Sequence, residues 1–421
     1  MRAEAAASGL RELRAEARAR FDSAAWPTAE DEQWRRTDLS RFDLGPYIAE
    51  RFGGLEGVQA GMVSSRSSSG PAACAGRIRF ESGRCAALEL GESLSGRGVR
   101  LETLATADAR GDGLALGLLR SGFAASDDRV ELLHFARLEY GAFLYLPPGL
   151  RVEEPFFADF EEGGDHRLAT PHLAILLGEG SSATMISRLG EGLGTGVLCD
   201  SRIDVALGEA SSLQLFELQS LGPSSLHFQR SRASLAAGSA FDRLEIQLGS
   251  RLAMTRSDCA LEGRGASARL DGLLYRSRGQ EADLGVSLRH LSPGAISRAN
   301  YKCIVEGGGR SVFQGSIEVG DGASGTDAYL YNRNLLLGEA ARADSIPTLR
   351  IGNNDVRCSH GSATGRLGEE EIFYLQCRGF SEAEARELLV LGFFEELLER
   401  APPNFSEEAL GGLLLRLAEA A

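Results

Sequence analysis

The 421-residue sequence predicts a mainly β body held between two helical ends. Three observations carry that reading. Between about residues 76 and 366 the chain is a succession of short alternating runs broken by Gly, Ser, Asp and Asn. RIDVALG (202–208), RLEIQLG (243–249) and SVFQGSIEVG (311–320) each show the period of two that a strand imposes. Within that stretch a small-residue turn followed by a strand recurs from Gly180, Ala210, Gly238 and Gly265, at steps of 30, 28 and 27 residues; the next similar turn, at Gly309, comes after 44. Both ends of the chain switch to helical periodicity. A β-repeat near 30 residues fits a solenoid whose coils bury their apolar faces on one another. A sandwich with hairpins every dozen or so residues would leave a similar pattern, and the residues keep both open.

Residues 1–75 form the N-terminal helical region. Leu10, Leu13 and Phe21 lie among alternating Arg and Glu, as on a solvated helix. Trp26-Pro27 ends that pattern, because the residue before proline is pushed out of the α region. The segment Trp34–Ser40 reads as a capped helix start with a solvated basic pair, and SSRSSSG (64–70) before Pro71 as a linker. Residues 76–366 are the β body. Residues 367–421 are the C-terminal helical subdomain. There Ser381 and Glu384 form a capping box, and Ala385, Leu388, Leu389, Phe393 and Leu397 follow at helical spacing. Pro402-Pro403 stops that helix, and Asn404 with Glu407 is expected to cap another. Gly379 is expected as a positive-φ C-cap, with Arg378 near the last carbonyls. This end carries twelve carboxylates against four arginines, a net −8 out of the chain's −14. It reads as a solvated face or as a docking face for a basic partner.

Composition excludes several classes. An excess of 59 acidic over 45 basic side chains argues against a general nucleic-acid binder. Lys302 is the sole lysine, so there is no P-loop and only one residue for Schiff-base chemistry. No H-E-x-x-H, G-x-S-x-G or strand-linked G-x-G-x-x-G is present. Seven cysteines without a C-x-x-C pair argue against a disulfide framework, and the remaining cysteines read as small hydrophobes in strands. With no apolar leader and no stretch of about 18 apolar residues, the expectation is a reduced, cytoplasmic, soluble protein without a membrane span.

One segment offers chemistry: Asp355-Val356-Arg357-Cys358-Ser359-His360-Gly361. In an extended strand Cys358 and His360 project from the same face. A thiolate and an imidazole there can share one soft metal. Two ligands make only a half-site, so the others would come from elsewhere in the fold or from another chain. The alternative is a buried cysteine beside a hydrogen-bonded histidine. His290, before a Ser-Pro turn, reads as a turn or core histidine.

The stretch from Asn332 to Leu398 closely resembles the C-terminal signature of the SufB/SufD family, components of the SUF iron–sulfur cluster assembly machinery. The matching elements are Asn334-Leu335-Leu336-Leu337, the P-x-L-x-I run from Pro347, D-V-x-C-S-H-G from Asp355 and F-Y-L-x-x-R-G from Phe373. RHLSPGAISRANYKCIV and SVFQGSIEV resemble the last coils of the family's body, and TPHLAILLGEGSSATMISR and WRRTDLS also fit. The resemblance implies a right-handed parallel β-helix flanked by N- and C-terminal helical subdomains. It implies pairing of SufB-like with SufD-like chains through their β-helices, a SufC-like ATPase docked on each C-terminal helical part, and clusters built on the paired scaffold. Leu375 stands where SufB-like chains carry a cysteine after the F-Y pair, with Cys377 two residues on, and Ser359-His360-Gly361 is intact as in SufD-like chains. The chain therefore reads as a SufD-like, non-catalytic scaffold subunit, with a SufB-like role or a homodimer as the alternative. By this resemblance His360 and the neighbouring Cys358 are interface ligands for iron or an iron–sulfur cluster held transiently, with no permanently bound cofactor. Arg378, Gly379, Phe393 and Phe394 fall in the SufC-docking region. A β-helix polysaccharide lyase or hydrolase is the remaining alternative; it would need catalytic carboxylates clustered on one face.

Overall fold

The computed structural model describes residues 8–48, 74–111, 113–126, 128–164, 166–192 and 196–420. Among the described residues twenty strands are formed. The first seven are β1 (Gly76–Glu81), β2 (Arg84–Leu90), β3 (Arg100–Thr103), β4 (Tyr140–Leu146), β5 (Phe156–Glu162), β6 (Arg167–Ala169) and β7 (Pro171–Leu177). Then follow β8 (Ser182–Glu191), β9 (Val197–Leu207), β10 (Ser212–Ser220), β11 (Leu226–Leu235), β12 (Ala240–Gln247), β13 (Leu252–Leu261) and β14 (Ser267–Arg276). The last are β15 (Glu281–His290), β16 (Ile296–Glu306), β17 (Arg310–Val319), β18 (Thr326–Leu337), β19 (Arg342–Ile351) and β20 (Val356–Arg366).

From β7 onward successive strands alternate between two sheets. Sheet A runs β2-β1-β5-β8-β10-β12-β14-β16-β18-β20, and sheet B runs β19-β17-β15-β13-β11-β9-β7-β4-β3 with β6 beside β9. Pairing is parallel and in register throughout, except that β1–β2 and β3–β4 are antiparallel. The body is thus a parallel β-solenoid of about eight turns, and the sandwich alternative falls. The repeat seen in the sequence is one corner of the coil. Gly180, Ala210, Gly238 and Gly265 all sit there with positive φ, and the series continues through Gly294 and Gly325, not Gly309. Gly309 belongs to another corner, between β16 and β17. Glycine dominates the column because a side chain in the left-handed region is strained; Ala210, at φ 51°, is the exception.

Between the sheets lies an apolar core that includes Leu215, Phe241, Leu270, Leu288, Ile317 and Leu330. Two further clusters cover the outer faces. On sheet B, Leu198, Leu226, Phe228, Leu252 and Met254 pack against N-terminal helices. These are α1 (Ser8–Ser23), α2 (Gly45–Ile48), α4 (Leu104–Arg110), α5 (Leu114–Ala124) and α6 (Arg129–Ala136), whereas α3 (Glu92–Gly96) sets Leu94 against the inner core instead. On sheet A, Phe216, Leu244, Ile246 and Leu273 pack against Val390, Phe394, Phe405 and Leu413 of the C-terminal helices. Those are α7 (Glu369–Gln376), α8 (Glu382–Leu398) and α9 (Pro403–Ala420).

The stretch 92–136, expected as strand, holds four of these helices. α6 is buried on nearly every side and shows no amphipathic stripe, whereas α5 buries Ala115, Leu119, Gly122 and Phe123 at helical spacing, a stripe diluted by its small residues. The Ser381 capping box is present as expected. Asn404 is not a cap: α9 begins at Pro403, whose fixed φ suits the first helical position. Trp34 closes a short 3₁₀ turn, and Asp38 caps the next through the Ser40 amide. The expected linker at 64–70 lies outside the described residues. Among the described residues no helix is long and apolar enough to cross a membrane.

Candidate functional site at the open end of the solenoid

The two ends of the solenoid differ. At the first end, antiparallel β2 closes sheet A, and Leu94 of α3 packs onto the core. At the other end β19 and β20 are the last strands of their sheets, with no further coil over them among the described residues. Their residues are mostly exposed or half-buried, whereas β17, one coil earlier, alternates buried with half-buried. An unpaired edge with an uncovered inner face is a template for another chain.

Cys358 and His360 stand on that last strand. Cys358 pairs with Ala328 and His360 with Leu330, both core residues of β18, so the two side chains continue the inward rows of the solenoid. The sequence expectation of a shared face holds. Cys358 is half-buried and His360 exposed. Burial pushes the Cys358 thiol up, opposed by the Ala328 backbone and reinforced by Asp327. Among the described residues no three His, Cys, Asp or Glu side chains converge as a metal site. The pair is therefore a half-site on this chain alone, open toward the uncovered end.

Beside it the inner face turns polar, a feature the sequence reading missed. Ser362 and Thr364 follow His360 on the same face, paired with Asn332 and Asn334. Asn334 Nδ2 donates to Asn332 Oδ1 (2.9 Å), Thr364 Oγ1 (3.1 Å) and Ser345 Oγ (3.2 Å), tying β18, β19 and β20 together. The Ser345 hydroxyl closes the ring onto Asn332. On the outer face Tyr329 and Tyr331 stack at 6.0 Å, and Arg333 lies over Tyr331 at 5.2 Å. Gly361 leaves room for that stack: a Cβ there would lie 2.7 Å from the Tyr331 ring.

Deeper in the lumen a buried polar spine runs through the coils. Arg243 bonds Glu217 (2.5 and 3.1 Å), Glu245 (2.9 Å) and Ser257 (2.5 Å), and Gln229 donates to Glu217 (2.8 Å). Burial works against the Arg243 charge, but Glu217 and Glu245 outweigh it and hold its pKa above the ordinary value. Burial raises the Glu245 carboxyl, with Arg243 opposing and Glu217 adding to the rise. A cavity of about 40 Å³ lies beside Ser201, Gln219, His227 and Glu245, room for a few waters.

The C-terminal helices rest along sheet A, from Arg188 on β8 to Lys302 on β16. Lys302 is buried, so it is no Schiff-base site; its Nζ donates to the Phe393 carbonyl (2.8 Å) and Glu396 (2.6 Å). Arg400 pairs with Asp242 and, at 2.9 Å, with Asp271; Arg188 pairs with Glu408 (2.8 Å). Of the residues expected at a docking region, Arg378 and Gly379 are exposed. Gly379 has the expected positive φ, and Arg378 lies over the Tyr374 ring at 3.5 Å. Phe394 is 2 % exposed and packs into the sheet A core, and Phe393 is half-buried against the Lys302 ammonium. Both phenylalanines anchor the helix from within. The apolar surface lies instead on Phe373 (67 % exposed), Tyr374 (55 %), Phe380 and Leu388, in and around α7. Phe373 and Tyr374 open the F-Y-L-x-x-R-G run and Phe380 follows it, but none was singled out for docking, because periodicity alone does not tell an exposed aromatic from a core one.

His290 is a buried core histidine bonded to Ser297 Oγ at 2.9 Å, as expected. Cys199, Cys259 and Cys303 are buried in strands, whereas Cys74 and Cys377 are exposed and outside them.

Comparison with known proteins gives the same direction. The family model described as "SUF system FeS cluster assembly, SufBD core domain" matches residues 160–393, a span from β5 to α8 that includes the open end. A Staphylococcus epidermidis protein named "Iron-sulfur cluster assembly SufBD family protein" is 25% identical over 296 residues, 69% of this chain and 64% of its own length. Similarly named proteins of Staphylococcus saprophyticus and Staphylococcus aureus strain MRSA252 are each 25% identical over 285 residues, 68% of this chain and 61% of theirs. The chain thus spans a little under two thirds of the length of these curated relatives.

Proposed function

This chain belongs to the SufBD family of iron–sulfur cluster assembly proteins, and on that premise we propose that it is the SufD-like scaffold subunit, without catalytic activity of its own, of a cytoplasmic SUF complex. The observation that carries the reading is the uncovered last coil, which places Cys358 and His360 at an open, unpaired edge. A SufB-like chain continues the solenoid there, covering the exposed inner face of β19 and β20. The cargo, iron or a nascent cluster, is held transiently between His360, Cys358 and ligands of that second chain, since two ligands on one side leave a tetrahedral iron incomplete. His360 is the primary ligand because it is exposed; Cys358 assists, its thiol held up by burial until metal displaces the proton.

A SufC-like ATPase docks on the exposed aromatics around α7. Phe373, Tyr374 and Phe380 supply apolar anchors, Arg378 stiffens Tyr374, and Lys302 with Arg400 fixes the helices beneath. Leu375 directly after Phe373-Tyr374 favours the SufD-like over the SufB-like role.

The test is cluster assembly by the co-purified complex, read from its visible absorption and iron and sulfide content. His360→Ala is expected to lower cluster yield at least tenfold with complex recovery unchanged, and Cys358→Ser to lower it less. Full cluster yield with His360→Ala overturns the ligand assignment. Tyr374→Asp is expected to release the ATPase while leaving the melting temperature unchanged.

A further inference from the structure

Within a chain of net charge −14, one cleft is basic. It lies at the corner where coils pass from sheet A to sheet B, and its volume is about 670 Å³. Four arginines line it, Arg41, Arg251, Arg310 and Arg342, against a single carboxylate, Glu281. They come from separate parts of the sequence. Arg310 and Arg342 open β17 and β19 and stand in register one above the other. Arg251 precedes β13, and Arg41 belongs to the N-terminal segment.

That segment is fastened to the corner by long-range contacts. Arg41 grips Glu281 at 2.6 and 3.2 Å, Arg310 donates to the Arg36 carbonyl at 2.9 Å, and Thr37 bonds Asp283 at 2.5 Å. Phe42 is buried between two cations, with the Arg251 guanidinium 5.3 Å and the Arg41 guanidinium 5.9 Å from its ring centre. Glu281 is already shared by Arg41 and Arg310, and Asp344 by Arg342 and Arg310. Arg251 has an aromatic neighbour but no carboxylate among the described residues. Gln280 and Ala340 complete the wall with Gly279, Gly308 and Gly309, whose stacked corners offer no side chain to fill the space.

We propose that this cleft binds a phosphorylated small molecule, held by Arg251, Arg310 and Arg342. Planar guanidinium forks suit phosphate oxygens better than a carboxylate or a chloride, and several converging forks suit a ligand with more than one phosphate. The surplus positive charge is local, so the acidic remainder of the surface repels extended polyanions and leaves a compact ligand favoured. Only Arg342, at the start of β19, borders the coil that the scaffold reading covers; Arg251 and Arg310 lie outside β19, β20 and α7, so titration of the chain without a partner tests the cleft apart from that reading.

The experiment is calorimetric titration of the full chain with inorganic pyrophosphate in about 50 mM salt, where screening is modest. Saturable binding is expected, weakened at least tenfold in Arg251→Gln and further in Arg251→Gln/Arg342→Gln. Arg350→Gln, which removes an arginine paired with Glu318 outside the cleft, should leave it unchanged. Circular dichroism confirms that each variant is folded. No heat at 10 mM pyrophosphate, on the order of the weakest specific sites, overturns the proposal. So does equal weakening by Arg350→Gln. A single-stranded oligonucleotide that competes as well as pyrophosphate would make the cleft a non-specific polyanion patch and also overturn it.

Discussion

Replacing Arg243 with methionine should be among the most damaging single changes in the solenoid. The guanidinium is 1 % exposed and sits between Glu217 and Glu245, whose side chains are 10 % and 2 % exposed. Methionine fills a similar volume but leaves two buried carboxylates with no cation. Removing one partner of a buried ionic cluster costs about 3–5 kcal/mol. The loss must depend on pH. Burial already raises Glu245, and without the guanidinium its carboxyl would titrate higher still in the folded state, so the folded variant binds more protons than the unfolded chain between that raised pKa and about 4.5. Its stability therefore rises as pH falls through that window, by up to ~1.4 kcal/mol per pH unit per proton. The destabilisation relative to wild type should shrink from pH 7.5 to 5.5. Replacing all three residues with apolar ones, Arg243→Met/Glu217→Leu/Glu245→Leu, should recover most of it, since apolar replacement of a whole buried ion cluster is often neutral. A solenoid need not unfold in one step, so the assay is urea unfolding read by circular dichroism together with hydrogen exchange of β10, β12 and β14. A single variant within about 1 kcal/mol of wild type at pH 7.5, or one that loses more at pH 5.5, refutes the reasoning.

Other predictions follow from the same geometry. Ala210→Gly should raise stability by about 0.5–1 kcal/mol, because it removes left-handed strain at φ 51° that exceeds glycine's extra chain entropy; a higher urea midpoint checks it. Burial lowers the pKa of His290 to about 4, so between roughly pH 6.5 and 4 the unfolded chain binds a proton that the fold does not. That contribution is present above pH 6.5 and lost as pH falls; His290→Asn should flatten the stability–pH slope in the window by up to ~1.4 kcal/mol per pH unit. Lys302→Met should cost about 1–3 kcal/mol, concentrated in faster hydrogen exchange over 382–420 with the solenoid little changed. Gly361→Val places a Cβ 2.7 Å from the Tyr331 ring and should cost about 1–3 kcal/mol, displace the Tyr329–Tyr331 stack and weaken pairing at the open end, read by tyrosine fluorescence and by co-purification.

Much of the fold was legible because its rule is one-dimensional. The corner column leaves a glycine or alanine about every 30 residues, and strand alternation fills the interval. The series was lost after Gly265 because Gly294 and Gly325 are flanked by Ser-Pro and Ala-Ser, which read as ordinary turns. Of the helices at 92–136, α3 and α4 are too short to show a stripe, α6 is buried on nearly every side, and the buried face of α5 includes the small residues Ala115 and Gly122, which weaken its signal. Cys358 and His360 were legible as a same-face pair from alternation alone. What alternation does not tell is which coil is last, and hence which inward face stays uncovered. For the same reason Phe394 looked available until sheet A was seen to lie against it, while the polar ring of Asn332, Asn334, Ser345 and Thr364 needs three strands to form and has no local signature.

The central claim is that the uncovered coil is an interface with a second SUF scaffold chain. The most direct measurement is the native mass of the complex recovered when this chain, tagged, is expressed with the SufB-like and SufC-like proteins of its own source. The account predicts one copy of this chain with one SufB-like and two SufC-like subunits. It also predicts loss of the SufB-like subunit when Ala363 on β20 is replaced by proline. Recovery of this chain alone or only with itself, or a complex indifferent to Ala363→Pro, would contradict it.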